Sequence, residues 1–168
     1  FLKDGYSIVV YDAYRPQKAV DSFVMWSRDI NDQKAKERYY PGINKGDIFK
    51  LGYIFDKSSH TRGSTVDISI IKLGNKLHPV KFSKRKLRNN DIVPFLDDGT
   101  VDMYTSFDLF GPASHHETEL IGEEYLTRRS YMYSVLLKHG FNGYPKEWWH
   151  YTLENEPFPD TYFDFDVK

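Results

Sequence analysis

The sequence contains no cysteine. Disulfides, a thiol nucleophile and thiolate metal sites are therefore excluded, and any metal must be held by His, Asp or Glu. The absence leaves the compartment open, because periplasmic proteins can also lack cysteine. No apolar run is long enough to cross a bilayer, so no membrane span is expected. Neither sign of charge is in excess: 23 basic residues meet 24 acidic ones, for a net charge of −1. That balance does not steer the chain toward nucleic acid or an anionic membrane. Internal repeats and low-complexity segments are missing too, which argues against a solenoid or array.

What remains is a chain of 168 residues, a length that suits one domain around one core. Aromatics make up 17%, including 13 Tyr and 12 Phe, and suit a fold whose core and cleft are lined by rings. The chain opens on Phe1-Leu-Lys-Asp-Gly-Tyr6, which reads like the interior of a domain. The expectation is a single domain, 1–168, lacking its N-terminal part, with which a signal peptide could have been lost.

Ser7–Tyr11 is β-branched and apolar, and predicts a buried strand. Pro16 is well placed to open a helix with Val20, Phe23, Val24 and Ile30 on its apolar side. The charged run from Asn31 to Arg38 reads as more helix or its end, and Tyr39-Tyr-Pro-Gly42 as a breaker. Lys57–Ser64 is a polar loop. Val66–Leu73 alternates as a strand, and Gly74-Asn75 predicts a hairpin turn behind it. Lys81–Arg88 carries five basic residues in eight and reads as a solvated excursion. Val101–Phe110 predicts another strand and loop. Glu117–His139 predicts a helix with Ile121, Tyr125, Met132, Leu136 and Leu137 inward and Gly140 as its C′ residue. Glu147–Leu153 predicts a ring-rich strand. Together these elements predict an α+β fold, an antiparallel sheet with helices packed on one side.

Three polar segments lie beside strongly apolar sequence: Tyr11–Pro16, Ser58–Asp67 and Glu147–Tyr151. Burying such groups costs several kcal/mol unless they are paired or hold a metal. His60 and Asp67 are seven apart, which fits one ligand on a loop and one on the strand that the loop enters. On spacing alone, a turn Asp beside a hydrogen-bonded His explains the pair more simply. Glu147-Trp-Trp-His150 changes the balance, because an imidazole is a good zinc ligand and a nearby Glu is a suitable base. Two His and one Asp would leave one position open for water, the catalytic rather than the structural arrangement. Trp148 and Trp149 read as core. Arg15 suits an oxyanion stabiliser, or an ion pair with a surface acid. His78, His115, His116 and His139 read as structural or surface residues.

These motifs resemble the D-alanyl-D-alanine dipeptidases of the VanX type. The resemblance rests on Tyr11-Asp-Ala-Tyr-Arg-Pro-Gln17, Ser58-Ser-His-Thr-Arg-Gly-Ser-Thr-Val-Asp67, Glu147-Trp-Trp-His-Tyr151 and the acidic, aromatic ending at Phe158–Phe165, in matching order. It implies a fold similar to the hedgehog/D,D-peptidase fold and one Zn2+ held by His60, Asp67 and His150. Glu147 would be general base and Arg15 the transition-state stabiliser, with Ser58 and Asp108 binding substrate. It implies a small dipeptide as partner and a bacterial setting, with the cytoplasm preferred over the periplasm. The role would be glycopeptide resistance or recycling of cell-wall alanine. Two departures stand out. Leu77–Asp102 is longer than the resemblance leads one to expect, suggesting a lid or a surface insertion. The family's substrate-contacting tyrosines upstream of the Tyr11 motif have no counterpart here. Two rivals are a D,D-carboxypeptidase of similar fold and a non-catalytic zinc domain of hedgehog type.

Overall fold

The computed structural model describes residues 1–167. Its centre is a four-stranded antiparallel sheet in the order β1-β2-β6-β5. The strands are β1 (Tyr6–Asp12), β2 (Thr65–Lys72), β5 (Phe141–Gly143) and β6 (His150–Leu153). A separate antiparallel pair joins β3 (Lys81–Lys86) to β4 (Ile92–Asp97). The helices are α1 (Gln17–Arg28), the short α2 (Lys36–Tyr39) and α3 (Glu123–Lys138). The α+β expectation, with antiparallel sheets, is met.

The alternation read in β2 holds, and it explains how the sheet divides labour. Ile68 and Ile70 point into the main core with Met132 and Leu136 of α3, Trp148 and Tyr151. Asp67 and Ser69, one residue out of phase, point to the opposite face. Both faces of β2 are buried, so a one-residue slip would exchange carboxylate for isoleucine in the core. A second core gathers Leu87, Val93, Leu109, Ala113 and Ile121 beneath the β3–β4 hairpin. A third packs Val24 of α1 against Tyr40, Ile48 and Ile54.

Several local expectations are corrected. β1 is an edge strand and not a buried one: Ile8 and Val10 are 49% and 58% exposed. Ile30 is exposed and lies beyond the end of α1. Only Lys36–Tyr39 of the 31–38 run is helical, and it extends one residue past it. Gly74-Asn75 does turn the chain, with the Asn75 N–H bonded to the Lys72 carbonyl, but the next strand pairs with β4 and not with β2. The basic run is therefore an ordered strand. Arg85 reaches back to Asp102 at 2.6 Å and stacks over Phe95, while Lys84 meets Glu37 at 2.9 Å.

Val101–Phe110 contains no strand. Its backbone groups go elsewhere: Val101 donates to the Ile70 carbonyl, while the Met103 carbonyl accepts from Arg129. Tyr104 and Asp108 take positive φ, which no strand tolerates. α3 starts at Glu123, six residues later than expected, because Arg88 and Pro145 hold the preceding segment through Leu120 and His116. Ile121 is buried but precedes the helix, and Leu137 faces solvent. Gly140, at φ 79°, follows the C-cap as expected. Finally, Glu147–Trp149 is a turn and only His150–Leu153 is strand: the Glu147 N–H bonds the Tyr144 carbonyl, and the His150 N–H bonds Glu147.

Candidate metal centre

Three elements converge on one point. The first is a 3-10 helix, Ser59–Arg62, that carries His60. The Ser58 hydroxyl caps it by accepting the His60 N–H at 3.3 Å, and Gly63 closes it in the left-handed region at φ 78°. The second is β2, which carries Asp67. The third is β6, where His150 opens the strand directly opposite Asp67 in register. Antiparallel pairing puts partners on the same face, so β2 and β6 alone bring Asp67 and His150 together.

The resulting geometry is tight. His60 Nε2 lies 3.2 Å from Asp67 Oδ2, and His150 Nδ1 lies 3.1 Å from Asp67 Oδ1. One ligand atom from each of the three residues lies within 4.8 Å of the others. Each ring is held by its other nitrogen. His60 Nδ1 is 2.7 Å from the Ala13 carbonyl, and His150 Nε2 is 3.2 Å from the Ser59 hydroxyl. A carbonyl only accepts, so His60 Nδ1 carries the proton and Nε2 presents its lone pair. This outer support, a carbonyl or hydroxyl on the far nitrogen, is what metal-ligating histidines use to fix tautomer and orientation.

A cation fits the set. His60 Nε2 and Asp67 Oδ1 are buried atoms without a hydrogen-bond partner among the described residues. Buried polar atoms are rarely left so, and an ion between them would satisfy both. Burial raises the Asp67 pKa, but the close approach of the His150 and His60 imidazoles outweighs it and holds the carboxyl below its ordinary value. An ionised carboxylate facing two imidazoles is the donor chemistry zinc accepts.

Glu147 stands beside this cluster, with Oε2 3.5 Å from His150 Nδ1. It is buried, and burial pushes its pKa well above the usual carboxylate value. The charges of Asp67 and Asp108 add to the shift and Arg15 opposes it. Asp108 is raised to about 7, first by burial and then by Asp67, with Arg15 again opposing. Its loop is fixed by Phe107, which stacks on Tyr11 at 4.7 Å and meets the edge of Trp149. Arg15 is folded onto Asp12, with Nε and Nη2 both on Oδ2 at 2.9 and 2.5 Å. Ser58, His60, Asp67, Asp108, Glu147, His150 and Arg15 all line a single cavity of about 1070 Å3. Every residue singled out as a site candidate in the sequence is thus brought together. Its outer wall is aromatic, from Phe23 and Trp26 of α1 to Tyr53 and Tyr144.

Some contributors carry weak sequence signals. Ser59 is indistinguishable from its neighbour Ser58 until His150 is placed. Asp12 lies inside a recognised motif, yet only the fold shows that it holds Arg15. Arg129 is the clearest omission: it sits on the α3 stripe with Met132 and Leu136 and is 1% exposed. A charged residue on an apolar stripe was the available sign.

A family profile described as D-ala-D-ala dipeptidase (Peptidase_M15) matches residues 2–82 and 75–168. The two pieces meet at the start of the β3–β4 hairpin. A protein named D-alanyl-D-alanine dipeptidase from Enterococcus faecalis is 36% identical over 165 residues, 98% of this chain and 70% of that protein. Proteins of the same name from Streptomyces coelicolor and Enterococcus faecium are 35% and 34% identical, covering 97% and 98% of this chain and again 70% of their own length. The chain belongs to the D-ala-D-ala dipeptidase family. That membership makes the chain a peptidase-family hydrolase. It also agrees with the cluster of His60, Asp67 and His150, the metal-capable group found among the described residues. No helix among those residues is long and apolar enough to cross a membrane.

Proposed function

We propose that this member of the family is a zinc-dependent dipeptidase that hydrolyses D-Ala-D-Ala. His60 through Nε2, Asp67 through its carboxylate and His150 through Nδ1 would hold one Zn2+ per chain. When bound, that ion polarises the scissile carbonyl and lowers the pKa of a coordinated water to about 7. The observation that carries the reading is the pair of orphaned buried ligand atoms on His60 and Asp67, with the buried Glu147 carboxylate 3.5 Å from the third ligand atom, His150 Nδ1.

Glu147 acts as general base and then as general acid. Its upward-shifted pKa suits a group that must take a proton from the attacking water and return it to the leaving amine near neutral pH. Arg15 stabilises the oxyanion that forms on the scissile carbonyl. Its Nε and Nη2 are engaged by Asp12, which fixes the guanidinium plane and leaves Nη1 as the part free to face substrate. Asp108 meets the free ammonium of the dipeptide. An approaching ammonium supplies the counter-charge that this carboxyl lacks, so a substrate with a blocked N-terminus is penalised. Ser58 contributes at the cavity wall beside the helix that it caps. The products are two molecules of D-alanine, consistent with recycling of cell-wall alanine or with glycopeptide resistance. The domain reading, one zinc peptidase domain over 1–168, belongs to the same proposal.

One observation favours a second reading. A cavity of about 1070 Å3 exceeds what a dipeptide fills and reaches the upper end of ordinary ligand sites. A D,D-carboxypeptidase trimming longer stem peptides would use that space. The deciding experiment measures bound metal and compares D-Ala-D-Ala with a stem pentapeptide ending in D-Ala-D-Ala. One zinc per chain and preference for the free dipeptide are expected. Preference for the pentapeptide would install the second reading, and turnover unaffected by chelation would remove both.

A further inference from the structure

The chain from Met103 to His116 has almost no sheet or helix ladder to hold it, yet it packs directly against the turn that carries Glu147. Arg129 of α3 is what grips it. Its guanidinium uses all five N–H bonds. Nε donates to the Met103 carbonyl at 3.0 Å, and Nη1 to the carbonyls of Ala113 and His115, each at 2.9 Å. Nη2 donates to the Met103 carbonyl at 2.7 Å and to Thr105 Oγ1 at 3.0 Å. None of these acceptors is a carboxylate. A fully buried guanidinium without a paired anion among the described residues is an expensive choice where the neighbours Met132 and Leu136 are plain apolar residues. Its use suggests that geometry is what it secures.

The grip passes to Glu147 through two links. Thr105 Oγ1 also accepts the indole N–H of Trp148 at 2.9 Å, and the Ser114 hydroxyl lies 3.0 Å from it. The Trp148 backbone N–H donates to the Ser114 carbonyl at 3.1 Å, and the His116 N–H to the Pro145 carbonyl at 3.0 Å. The residue after Glu147 is thereby fixed through main chain and side chain at once, and both bonds end on the segment that Arg129 holds. Thr105 is the joint: a buried hydroxyl shared by the guanidinium and the indole.

We propose that Arg129 and Thr105 are positioning residues for the Glu147 carboxylate, acting through Trp148. The inference rests on the reading of Glu147 as general base. A base works only within hydrogen-bond reach of its proton, and a displacement near 1 Å can cost about a hundredfold in rate. Asp108 lies on the same segment but has its own anchor, Phe107 between Tyr11 and Trp149. Loosening the joint should therefore reduce kcat and spare KM.

The test uses the zinc-loaded full chain with D-Ala-D-Ala and three variants: Thr105→Val, Thr105→Ser and Glu147→Gln. kcat, KM, zinc per chain and the thermal midpoint are read for each. Thr105→Val keeps the side-chain volume and removes the shared oxygen. It should lower kcat at least about tenfold with KM within about threefold and zinc still bound. Thr105→Ser restores the hydroxyl and should recover most of kcat. If Thr105→Val does not fold, Arg129→Lys, which keeps the charge but offers three donors for five acceptor contacts, should give the same split. An unchanged kcat per folded, zinc-loaded molecule with only a lower midpoint would make the relay a mere staple and overturn the proposal. Full turnover in Glu147→Gln would instead overturn the base assignment, and the relay with it.

Discussion

Replacing Glu147 by Gln tests chemistry and energetics in one protein. The substitution is isosteric and removes only the ability to hold a negative charge. General acid–base catalysis contributes roughly 10²- to 10⁴-fold in rate, or about 2.7 to 5.4 kcal/mol of barrier at ~1.36 kcal/mol per decade. kcat for D-Ala-D-Ala should fall by that range, with zinc retained because the three ligands are untouched. Stability should move the other way. Glu147 is 8% exposed, its carboxyl is crowded by Asp67 and Asp108, and its folded pKa lies above 4.5. A carboxyl raised in the folded state destabilises the fold above its unfolded pKa, because ionisation is then easier in the unfolded chain. The metal-free variant should therefore be more stable than the parent at pH 7, and the gain should vanish as pH falls below about 4.5. What is relieved is a buried charge crowded by like charges; the desolvation penalty is ~1–3 kcal/mol for a buried polar group and larger for a charged one, so the gain should be at least ~1 kcal/mol. For a chain of this size ~1 kcal/mol shifts the thermal midpoint by roughly 2–4 °C. The assays are release of D-alanine for rate and calorimetry of chelator-treated protein at pH 4 and 7 for stability. A Gln variant that turns over within tenfold of the parent, or that is less stable at pH 7, refutes the reasoning.

Two further outcomes follow from groups around the site. Ser59→Ala removes the hydroxyl that orients His150 through Nε2, and should weaken zinc binding by about 10- to 100-fold with the midpoint little changed, measured by competition with a chromogenic chelator. Unchanged zinc affinity would show that β6 alone orients the ring. His116 is held neutral, its pKa lowered from 6.5 to about 4 by burial and then by Arg129. The unfolded chain binds that proton first, so the ring's contribution is present above pH 6.5 and is lost as pH falls toward 4. At ~1.36 kcal/mol per pH unit the full loss is about 3.4 kcal/mol, and partial solvent access reduces it to ~1–2 kcal/mol. His116→Gln should flatten denaturant midpoints over that window; an equally steep pH dependence in the variant would place the titration elsewhere.

The sequence was most legible where one residue had one strong local reason. Asp67 between Val66 and Ile68 in a strand pattern marks a carboxylate that must face away from the core, and it does. Gly140 ended α3 as expected. The errors share a cause: propensity sees the residue, and the backbone partner is chosen elsewhere. Trp148 and Trp149 favour a strand, yet their carbonyl and N–H groups bond to Ile68 and Ser114, and the chain turns there. Val101–Phe110 looks like a strand, but its Met103 carbonyl is claimed by Arg129 from a helix 26 residues away. Apolar Ile8 and Val10 suggest burial, but strand order left β1 at the sheet edge.

By itself the sequence named the candidate donors. With no cysteine, His60, Asp67 and His150 were the residues whose motifs could hold a metal, and the α+β pattern followed from periodicity. The tertiary structure decided what those residues can do. The β2–β6 register put Asp67 opposite His150, the Ala13 carbonyl and Ser59 hydroxyl chose which imidazole nitrogens face the centre, and Arg129 tied the Glu147 turn to α3. The physical reason is reach. Residue type and spacing report on neighbours within a few positions, whereas distances of about 3 Å between atoms up to 91 residues apart are set by register and packing.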